Sequence, residues 1–423
     1  MKVLMLGGGG CQFNAIQRLK SLGHTVILSD YLDNCIGKEY ADVWEPISTF
    51  DLEKNLEIAK KYKIDGVLTL GTDQPIYTAA AISKELGLPF PISTEVAKNV
   101  TNKFYMKNIF VKNNIPTPSF AFVSRNFLDD ELKNIKFPAV IKPVDSQGQR
   151  GVLLLNSIDE IRQNIDYVLS FSREDKIIVE SYYKNDEITV NGWVYNGKVY
   201  FISVVDRVCL RNLPHIGICI AHNCPSAHLD NYRNEIIDLT NKITKIFNIQ
   251  NGPIYYQYLI GEDGIKVNEI ACRIGGAYED VTIPIINGFD ILDFQIKSVL
   301  GEELDYSKLL KIEKPFSYDR YLSTQLFFAQ SGTVAKLTPI EELEKTEHVH
   351  KLYYNFKVGD TIQTIKNATQ RVGYMIISGN TWDDMMTNID NTFDKLEILD
   401  SNNKNLVIPY NTYINKYKFI KEI

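Results

Sequence analysis

The chain has 423 residues, 44% hydrophobic and 23% charged, which is ordinary for a globular protein of two or three domains. Its formal net charge of -6 argues against a broad surface for nucleic acid or anionic membranes. No apolar run approaches the roughly 20 residues needed to cross a bilayer. The six cysteines, without a secretory start, are most simply free thiols in the cytoplasm. An anionic ligand must therefore be held by local Lys and Arg side chains.

The first 93 residues alternate between apolar strands and amphipathic helices. The pattern predicts strands over residues 2–7, 25–30 and 66–70 and helices over about 13–22, 51–62 and 74–87. This alternation is typical of a small doubly wound domain with a parallel sheet, whose ligands bind beyond the strand ends. Those ends carry Gly9, Gly10, Asp30, Thr72 and Asp73. Asp73 is a candidate substrate residue, although a structural turn explains it equally well.

The glycines at positions 7–10, followed by an acid, also suggest a dinucleotide-binding turn. The full Gly-x-Gly-x-x-Gly pattern fails because its third glycine position holds Gln12 in one register and Phe13 in the other. A hydride-transferring dehydrogenase is therefore an alternative that lacks its complete phosphate-binding turn.

The middle of the chain contains features suited to phosphate. A helix opens at Lys103, and a short apolar strand ends in Lys142. The following residues, 145–151, form a polar loop with two glycines and Arg150. Such loops let backbone N–H groups close over phosphate, although most are ordinary hairpin turns.

Two acids follow the loop at the ends of predicted strands. Glu180 ends an apolar strand that starts near residue 176, and Glu187 lies seven residues further on. These carboxylates can bind the edge of an adenine and the diol of a ribose. Taken alone, they are equally typical of solvated strand ends.

A predicted hairpin over residues 252–276 carries the most distinctive chemistry. Its turn lies at Gly264, and Gln257 lies on its first strand. Alternation along the second strand places four residues on one face, namely Val267, Glu269, Ala271 and Arg273. A carboxylate with an amide oxygen suits Mg²⁺, and a neighbouring guanidinium suits a transferring phosphoryl group. The alternative is a surface Glu–Arg pair.

A stretch rich in Cys and His lies between residues 209 and 228. It has no Cys-x-x-Cys pair, and residues 215–222 alternate like a half-buried strand, so a strand is predicted instead of a zinc site. Arg207 and Arg211 are candidates for binding a substrate carboxylate or phosphate, with solvated strand charges as the alternative.

The last stretch, from residue 301, reads as an antiparallel α+β domain. Strands are predicted over residues 332–337, 349–354 and 371–379, and an amphipathic helix over about 381–396. Earlier in the chain, Gly275 and Gly276 would let a substrate approach the backbone closely, or they form a turn.

The order of these motifs resembles the ATP-grasp superfamily. The elements are Asn-Lys103, Pro-Ala-Val-Ile-Lys142-Pro, the glycine loop, Val-Glu180 with Glu187, Gly-Pro before Gln257, and Asn-Glu269-Ile-Ala-Cys-Arg273. The chain is most similar to the carboxylate–amine ligase branch, which includes biotin carboxylase and glycinamide ribonucleotide synthetase. The resemblance implies a pre-ATP-grasp domain (1–93), an ATP-grasp domain (94–300) with a mobile lid (about 118–183), and a biotin carboxylase-like C-terminal domain (301–423).

The resemblance also implies a role for individual residues. Lys103 and Lys142 would hold the phosphates of ATP. The loop that would close over them contributes Ser146, Gln147, Gly148, Arg150 and Gly151. Glu180 with the backbone of Ser181, Tyr182 and Tyr183 would meet adenine, and Glu187 the ribose. Gln257 and Glu269 would hold Mg²⁺ or Mn²⁺, and Arg273 would act with Lys142 in catalysis.

Two positions depart from the family pattern. Gln257 stands where relatives commonly carry Glu, so the metal site is one negative charge lighter. Ala271 stands where the D-alanine ligase-like branch has a metal-binding Asn, although the purine-carboxylase branch also has Ala there. We therefore expect metal to bind mainly through Glu269 and ATP itself.

The resemblance implies an ADP-forming ligase that joins a small-molecule carboxylate to an amine through an acyl phosphate. An amino acid is the favoured substrate by analogy, since the His-rich segment of the purine-carboxylase relative is not matched after Arg273. A small-molecule kinase and a catalytically inactive nucleotide-binding module are the alternatives. No nucleic-acid or membrane partner is expected, and self-association as a homodimer is left open.

Overall fold

The computed structural model describes residues 1–212, 215–310, 316 and 318–410, without the side chains of Arg211 and Asn212. The helices are α1 (Gly10–Ser21), α2 (Leu52–Tyr62), α3 (Pro75–Leu86), α4 (Thr94–Thr101), α5 (Lys103–Lys112), α6 (Ile158–Leu169), α7 (Leu229–Ile246), α8 (Glu279–Asn287), α9 (Ile291–Leu300), α10 (Ser307–Leu310), α11 (Ile340–Glu344) and α12 (Trp382–Phe393). Within these described ranges, no helix combines the length and apolar character needed to cross a membrane.

The strands fall into two large groups and two short pairs. They are β1 (Lys2–Leu6), β2 (Thr25–Ser29), β3 (Val43–Glu45), β4 (Gly66–Leu68), β5 (Phe120–Ser124), β6 (Ala139–Pro143), β7 (Leu153–Leu155), β8 (Lys176–Ser181), β9 (Asp186–Tyr195), β10 (Lys198–Asn212), β11 (His215–Cys224), β12 (Gly252–Gly261), β13 (Gly264–Ala271), β14 (Tyr321–Phe327), β15 (Gly332–Thr333), β16 (Lys336–Leu337), β17 (Val349–Tyr354), β18 (Thr361–Ile362), β19 (Gly373–Gly379) and β20 (Ile398–Leu399).

The N-terminal region is the predicted parallel sheet with helices around it. Its order is β3-β2-β1-β4, and all three pairings are parallel. The strands are almost wholly apolar and buried because helices cover both faces of such a sheet. α2 begins where the Asp51 side chain accepts a hydrogen bond from the Lys54 N–H, and it ends where Lys63 adopts a left-handed conformation. The prediction for this region is confirmed, although α1 begins at Gly10, earlier than expected.

The central region is built on a long antiparallel sheet. Its strands follow the order β13-β12-β9-β10-β11-β7-β6-β8-β5. The far end of the sheet, β5 to β8 with α6, has an apolar core of its own, which includes Val123, Ile161 and Val179. A separate larger core lies under α4, α5, α7 and the β12–β13 hairpin. The part predicted as a lid therefore packs as a unit joined to the rest through few strands.

The C-terminal strands extend this sheet. β14 pairs with β11 on one side and β19 on the other, and β17 continues beyond β19. The helix predicted near residue 381 is α12, which begins after Thr381 caps it. The single strand predicted over residues 332–337 is wrong, since β15 pairs with β18 and β16 with β20. The α+β character is confirmed, and the strand pairing ties this domain to the central one.

Candidate functional site

A buried ion cluster joins α5 to the central sheet. Asn102 caps α5, and Lys103 and Lys107 lie one turn apart on the same side of that helix. Lys107 is 1% exposed and contacts the Glu180 carboxylate at 2.7 Å and the Thr117 hydroxyl at 2.7 Å. A lysine buried this completely is rare unless it is paired.

Glu180 is held by a second lysine from the neighbouring strand. Val140 lies opposite Glu180 in the β6–β8 pairing, and Lys142, two residues further on, reaches the same face of the sheet. Its ammonium donates to Glu180 at 2.5 Å and to the Asn268 side chain at 3.1 Å. Burial alone would raise the pKa of Glu180, but Lys107 and Lys142 outweigh it and hold that pKa at about 2. Glu180 is therefore a permanent anion between two cations.

The hairpin places Glu269 beside the same cluster. Gln257 and Glu269 are direct cross-strand partners, and the Lys103 ammonium lies 3.3 Å from the Glu269 carboxylate. Burial would raise the pKa of Glu269, but the charges of Lys103 and then Lys142 hold it at about 2. Glu269 is thus ionised and available to a cation.

A β-bulge corrects the predicted face of this strand. The register shifts between Gln257 and Tyr258, so Asn268 is an extra residue in β13. Val267 is buried in the apolar core together with Ile270, and Glu269 is not on its face. The prediction that Val267 shares a face with Glu269 is wrong because the bulge resets the alternation. The same bulge brings the Asn268 side chain into contact with Lys142.

Arg273, just beyond β13, is paired across to the N-terminal domain. Its Nε and Nη2 lie 2.7 and 2.6 Å from one oxygen of Asp73, and its Nη1 donates to the Ile274 carbonyl. Both side chains are largely buried. Burial, more than any neighbouring charge, raises the pKa of Asp73, against the pull of Arg273. The pair fixes the guanidinium on the side of the cluster that faces the first domain.

The polar loop after Lys142 lies over the same cluster. The Ser146 carbonyl accepts a hydrogen bond from the Lys103 ammonium at 3.3 Å. The Gln147 side-chain oxygen accepts the N–H groups of Asp73 and Gln74 at 2.7 and 3.2 Å. Arg150 donates to the Gln147 carbonyl. The loop therefore connects the lysine cluster with the N-terminal domain.

Two glycines give this loop its shape. Gly148 and Gly151 have φ of +69° and +70°, a left-handed conformation that other residues rarely adopt. A Cβ on Gly151 would also lie 2.8 Å from the ring of Phe171. Both glycines are therefore required by the backbone path of the loop.

A pocket opens beside Lys142 and Glu180. Its lining includes the residues that the resemblance assigns to adenine and ribose, together with Lys142, which it assigns to the phosphates: Glu180, Ser181, Tyr182, Tyr183 and Glu187. Apolar walls come from Val140, Val152 and Leu259. A pocket with apolar walls and several polar groups has the character of a small-molecule site. The individual contacts to adenine and ribose stay predictions.

Arg207 contacts Glu187, one of the residues that line this pocket. It is the cross-strand partner of Glu187, to which Nη1 donates at 2.5 Å, while Nη2 donates to the Gly217 carbonyl. The guanidinium is thus occupied within the protein, and its predicted substrate role stays a prediction. Arg211 has its backbone in β10, and its side chain lies outside the described part of the chain.

The two glycines after Arg273 are explained by packing. A Cβ on Gly275 would lie 2.3 Å from the Glu279 carboxyl carbon, and one on Gly276 would lie 2.6 Å from the Gly71 carbonyl oxygen. The Gly71 N–H also donates to the Ile274 carbonyl. These contacts bring the central loop against the N-terminal domain, and a substrate role for either glycine stays a prediction.

The Cys/His-rich stretch forms β11, as predicted. No cluster of three His, Cys, Asp or Glu side chains able to hold a metal is present in the described ranges. Instead, His222 contacts Glu279 at 3.2 Å, and both line a small cavity with Asn191 and Thr324. Burial lowers the pKa of His222, but Cys219 and then Glu279 outweigh it and raise that pKa to about 9.

The oxygen atoms around Glu269 fit a hard divalent cation. The Glu269 carboxylate, the Gln257 side-chain oxygen and the Asn268 amide lie together at the bulge, with Asn268 donating to Gln257 at 3.5 Å. One carboxylate with amide oxygens is a sparse donor set, which suits Mg²⁺ completed by phosphate oxygens and water. The fit supports Gln257 and Glu269 as candidate ligands.

Sequence reasoning missed Lys107 and Asn268. Lys107 carried a usable signal, since its spacing of four from Lys103 puts both on one face of α5. Asn268 carried no such signal in the sequence. Strict alternation along the strand places its side chain on the face opposite Glu269, and only the bulge brings the two side chains together.

Comparisons with known proteins show which families this chain is similar to. The family described as ATP-grasp domain matches residues 135–280, and that described as L-amino acid ligase C-terminal domain 2 matches residues 325–399. The phosphoribosylamine–glycine ligase of Methanococcus vannielii is 26% identical over 329 residues, which are 69% of this chain and 72% of that protein. The L-arginine-specific L-amino acid ligase of Bacillus subtilis is 23% identical over 324 residues, 74% of this chain and 75% of that protein.

The fold also matches solved structures. That of an L-amino acid ligase from Bacillus licheniformis has a TM-score of 0.78 and 19% identity, covering 95% of this chain and 98% of the other. At this identity the likeness concerns the fold alone.

Proposed function

This chain belongs to the ATP-grasp superfamily, in its carboxylate–amine ligase branch, and we propose that it activates a small-molecule acid with ATP for ligation to an amine. The observation that carries the proposal is the convergence of Lys103, Lys142 and Arg273 around the Glu269 carboxylate, next to a pocket that Lys142 lines. Lys103, Lys142 and the segment from Glu269 to Arg273 come from three distant parts of the chain. Three cations around one metal-binding carboxylate suit the transfer of a phosphoryl group.

The proposed reaction has two steps. A carboxylate oxygen of the acid attacks the γ-phosphorus of ATP, the bond to the β-phosphate oxygen breaks, and ADP leaves. The amine nitrogen then attacks the acyl carbon, phosphate leaves with the bonding electrons, and the nitrogen loses a proton. Lys103, Lys142 and Arg273 neutralise charge on the transferring group in both steps. No covalent intermediate with the protein is needed.

Gln257 and Glu269 are the residues that would hold Mg²⁺ or Mn²⁺, which supplies charge neutralisation and orientation of the phosphates. The Lys103 ammonium lies 3.3 Å from the Glu269 carboxylate, which supports a phosphate-binding residue beside a metal ligand. The loop over residues 145–151 and the lid would exclude water, because an acyl phosphate hydrolyses readily.

An amino acid is the proposed acid substrate. The C-terminal match to an L-amino acid ligase family and the similarity to an arginine-specific ligase support this class. The same chain also resembles a ligase for phosphoribosylamine and glycine, so both kinds of relative act on an amino acid.

Hydroxylamine trapping tests the proposal. The protein is incubated with ATP, MgCl₂, hydroxylamine and each of the 20 amino acids, and hydroxamate and ADP are measured. We expect stoichiometric hydroxamate and ADP with at least one acid. Lys142→Ala and Glu269→Ala should each lower the rate by at least about 100-fold, since they remove charge stabilisation of the transition state. Lys133→Ala, an exposed lysine on the lid, is the control.

The same assay separates two alternatives. A kinase would yield ADP with a stable phosphorylated product and no hydroxamate. An inactive nucleotide-binding module is favoured by the amide at Gln257 and by Ala271, and it would bind ATP without forming ADP. Near-normal rates in Lys142→Ala or Glu269→Ala would contradict the proposed function.

A further inference from the structure

Two cysteines face each other across the β10–β11 pairing. Cys209 of β10 is the cross-strand partner of Cys219 of β11, and both are free thiols. The next pair along these strands, Leu210 with Ile218, packs in the apolar core that β14, β17 and β19 share. Because side chains alternate across a strand, both sulfur atoms lie on the opposite face of the sheet, which carries Arg207.

The spacing of such a pair suits a disulfide bond. Residues directly opposite in an antiparallel pairing have Cα atoms about 4.5–5.5 Å apart, and disulfides join Cα atoms about 4.4–6.8 Å apart. The bond can therefore form while both strands keep their register. Cys209 is only partly buried, so a small oxidant has access to the pair from the surface.

The surroundings of Cys219 favour its thiolate, which is the reactive form of a cysteine. Burial would raise the pKa of Cys219, but the charges of His222 and then Arg207 outweigh it and lower that pKa. His222 is in turn held by Glu279, whose carboxylate lies 3.2 Å from its ring nitrogen. By contrast, burial raises the pKa of Cys224 further along the same strand. One member of the opposed pair is thus prepared for oxidation.

The pair is linked to the proposed ATP pocket through Arg207. The Arg207 Nη1 donates to the Cys209 sulfur at 2.8 Å and also to the Glu187 carboxylate, which lines the pocket. The Arg207 Nη2 donates to the carbonyl of Gly217, another lining residue. A disulfide draws the Cys209 sulfur towards Cys219, so Nη1 then donates to Glu187 only. Glu187 is held more tightly in that state and is less free to bind a ribose.

We propose that Cys209 and Cys219 form a reversible disulfide that weakens the binding of ATP. The oxidant is a peroxide, here hydrogen peroxide: the Cys219 thiolate attacks one oxygen, the O–O bond breaks, and hydroxide leaves, which gives a sulfenic acid. The Cys209 sulfur then attacks the Cys219 sulfur, the S–O bond breaks, and the hydroxyl group leaves as water with the Cys209 proton. Two electrons pass from the thiols to the peroxide, and an added dithiol returns them. The effect on ATP rests on the proposed function, whereas formation of the disulfide does not.

Mass spectrometry after exposure to hydrogen peroxide tests the bond. The whole chain should lose about 2 Da, and dithiothreitol should restore the starting mass. Trypsin cuts between the two cysteines, at Arg211, so a digest without reductant should contain the peptide of Cys209 linked to the peptide of Cys219. Cys224 lies in that second peptide. The link should therefore persist in Cys224→Ala and be lost in Cys219→Ala. Its absence from oxidised wild type, or its persistence in Cys219→Ala, would overturn the inference.

Calorimetric titration with ATP and MgCl₂ measures the effect on the pocket. We expect the oxidised protein to bind ATP about two- to tenfold more weakly, the equivalent of one neutral hydrogen bond, and to recover on reduction. Cys209→Ala should bind ATP as weakly as the oxidised protein does and should not respond to peroxide. Cys224→Ala should respond as wild type does.

The outcomes separate this inference from the proposed function. An unchanged affinity for ATP in oxidised protein that contains the linked peptides would overturn the connection between the disulfide and the pocket. Neither measurement requires turnover. Absence of hydroxamate in the trapping assay would therefore contradict the ligase function and leave the disulfide standing.

Discussion

Two buried charged regions lie side by side in this molecule, and they differ in their charge balance. The phosphate site joins four cations, Lys103, Lys107, Lys142 and Arg273, to three carboxylates, Glu180, Glu269 and Asp73. In the neighbouring cavity His222 contacts Glu279, and Cys219 and Glu279 raise the pKa of His222 to about 9. A buried charge without a partner is costly, so the second region is balanced within the protein. The first keeps a surplus of positive charge because an anion has to enter it.

Among the predicted changes, loss of Glu180 should have the largest effect, and this effect is on the stability of the fold. Glu180→Gln leaves Lys107 and Lys142 close together without their shared anion. We expect a loss of about 3–5 kcal/mol in the free energy of unfolding, the range for breaking a buried ion pair. Urea unfolding followed by fluorescence measures it. Glu131→Gln, on the exposed surface of the lid, is the control and should change stability little. Equal stability of both variants would show that the lysines do not depend on Glu180.

Loss of Lys107 should affect ATP more than stability. In Lys107→Met, Glu180 keeps only Lys142 as its partner, so Lys142 is less free to turn towards a phosphate. We expect the KM for ATP to rise about 10- to 100-fold, the equivalent of one charged hydrogen bond. The KM for the acid substrate should change little. A rise confined to the acid substrate would contradict this account.

The two regions should respond to pH in opposite directions. Glu180 titrates at about 2 when folded and near 4.5 otherwise, so its stabilisation is present above pH 4.5 and is lost as the pH falls towards 2. His222 titrates at about 9 instead of 6.5, so its stabilisation is present below pH 6.5 and is lost as the pH rises through 9.

Thermal unfolding from pH 3 to 10 measures how stability changes with pH on both sides. Glu180→Gln should reduce only the loss of stability at acid pH, and His222→Asn should reduce only the loss at alkaline pH. If either variant reduced the loss at the opposite end of the pH range, the assignment of these charges would be wrong.

The smallest expected effect concerns Asn268. Its side chain accepts one hydrogen bond from Lys142, and a neutral partner of this kind contributes about 0.5–1.5 kcal/mol. Asn268→Ala should therefore raise the KM for ATP by about two- to tenfold and lower the free energy of unfolding by no more than about 1.5 kcal/mol. Asn251→Ala, distant from the cluster in a loop before β12, is the control. An effect as large as that of Lys107→Met would mean that Asn268 contacts the ligand itself.

Much of the architecture could be predicted from local patterns. The alternation of apolar strands and helices predicted the N-terminal parallel sheet, and Gly264 marked the hairpin turn, where φ is +84°. These features depend on contacts between residues close in sequence. The boundaries of α1 and the division of residues 332–337 were missed, since they depend on packing against distant segments.

By itself, the sequence determined which chemical groups the protein has and the order in which it presents them, and this order was sufficient to indicate the family. The tertiary structure decided which charged side chains form ion pairs within the protein. Asn268 lies beside Lys142 because of a bulge, and Arg371 reaches Gly276 because the C-terminal strands extend the central sheet. Charge balance depends on distances between residues far apart in the chain, and local patterns of polarity do not contain those distances.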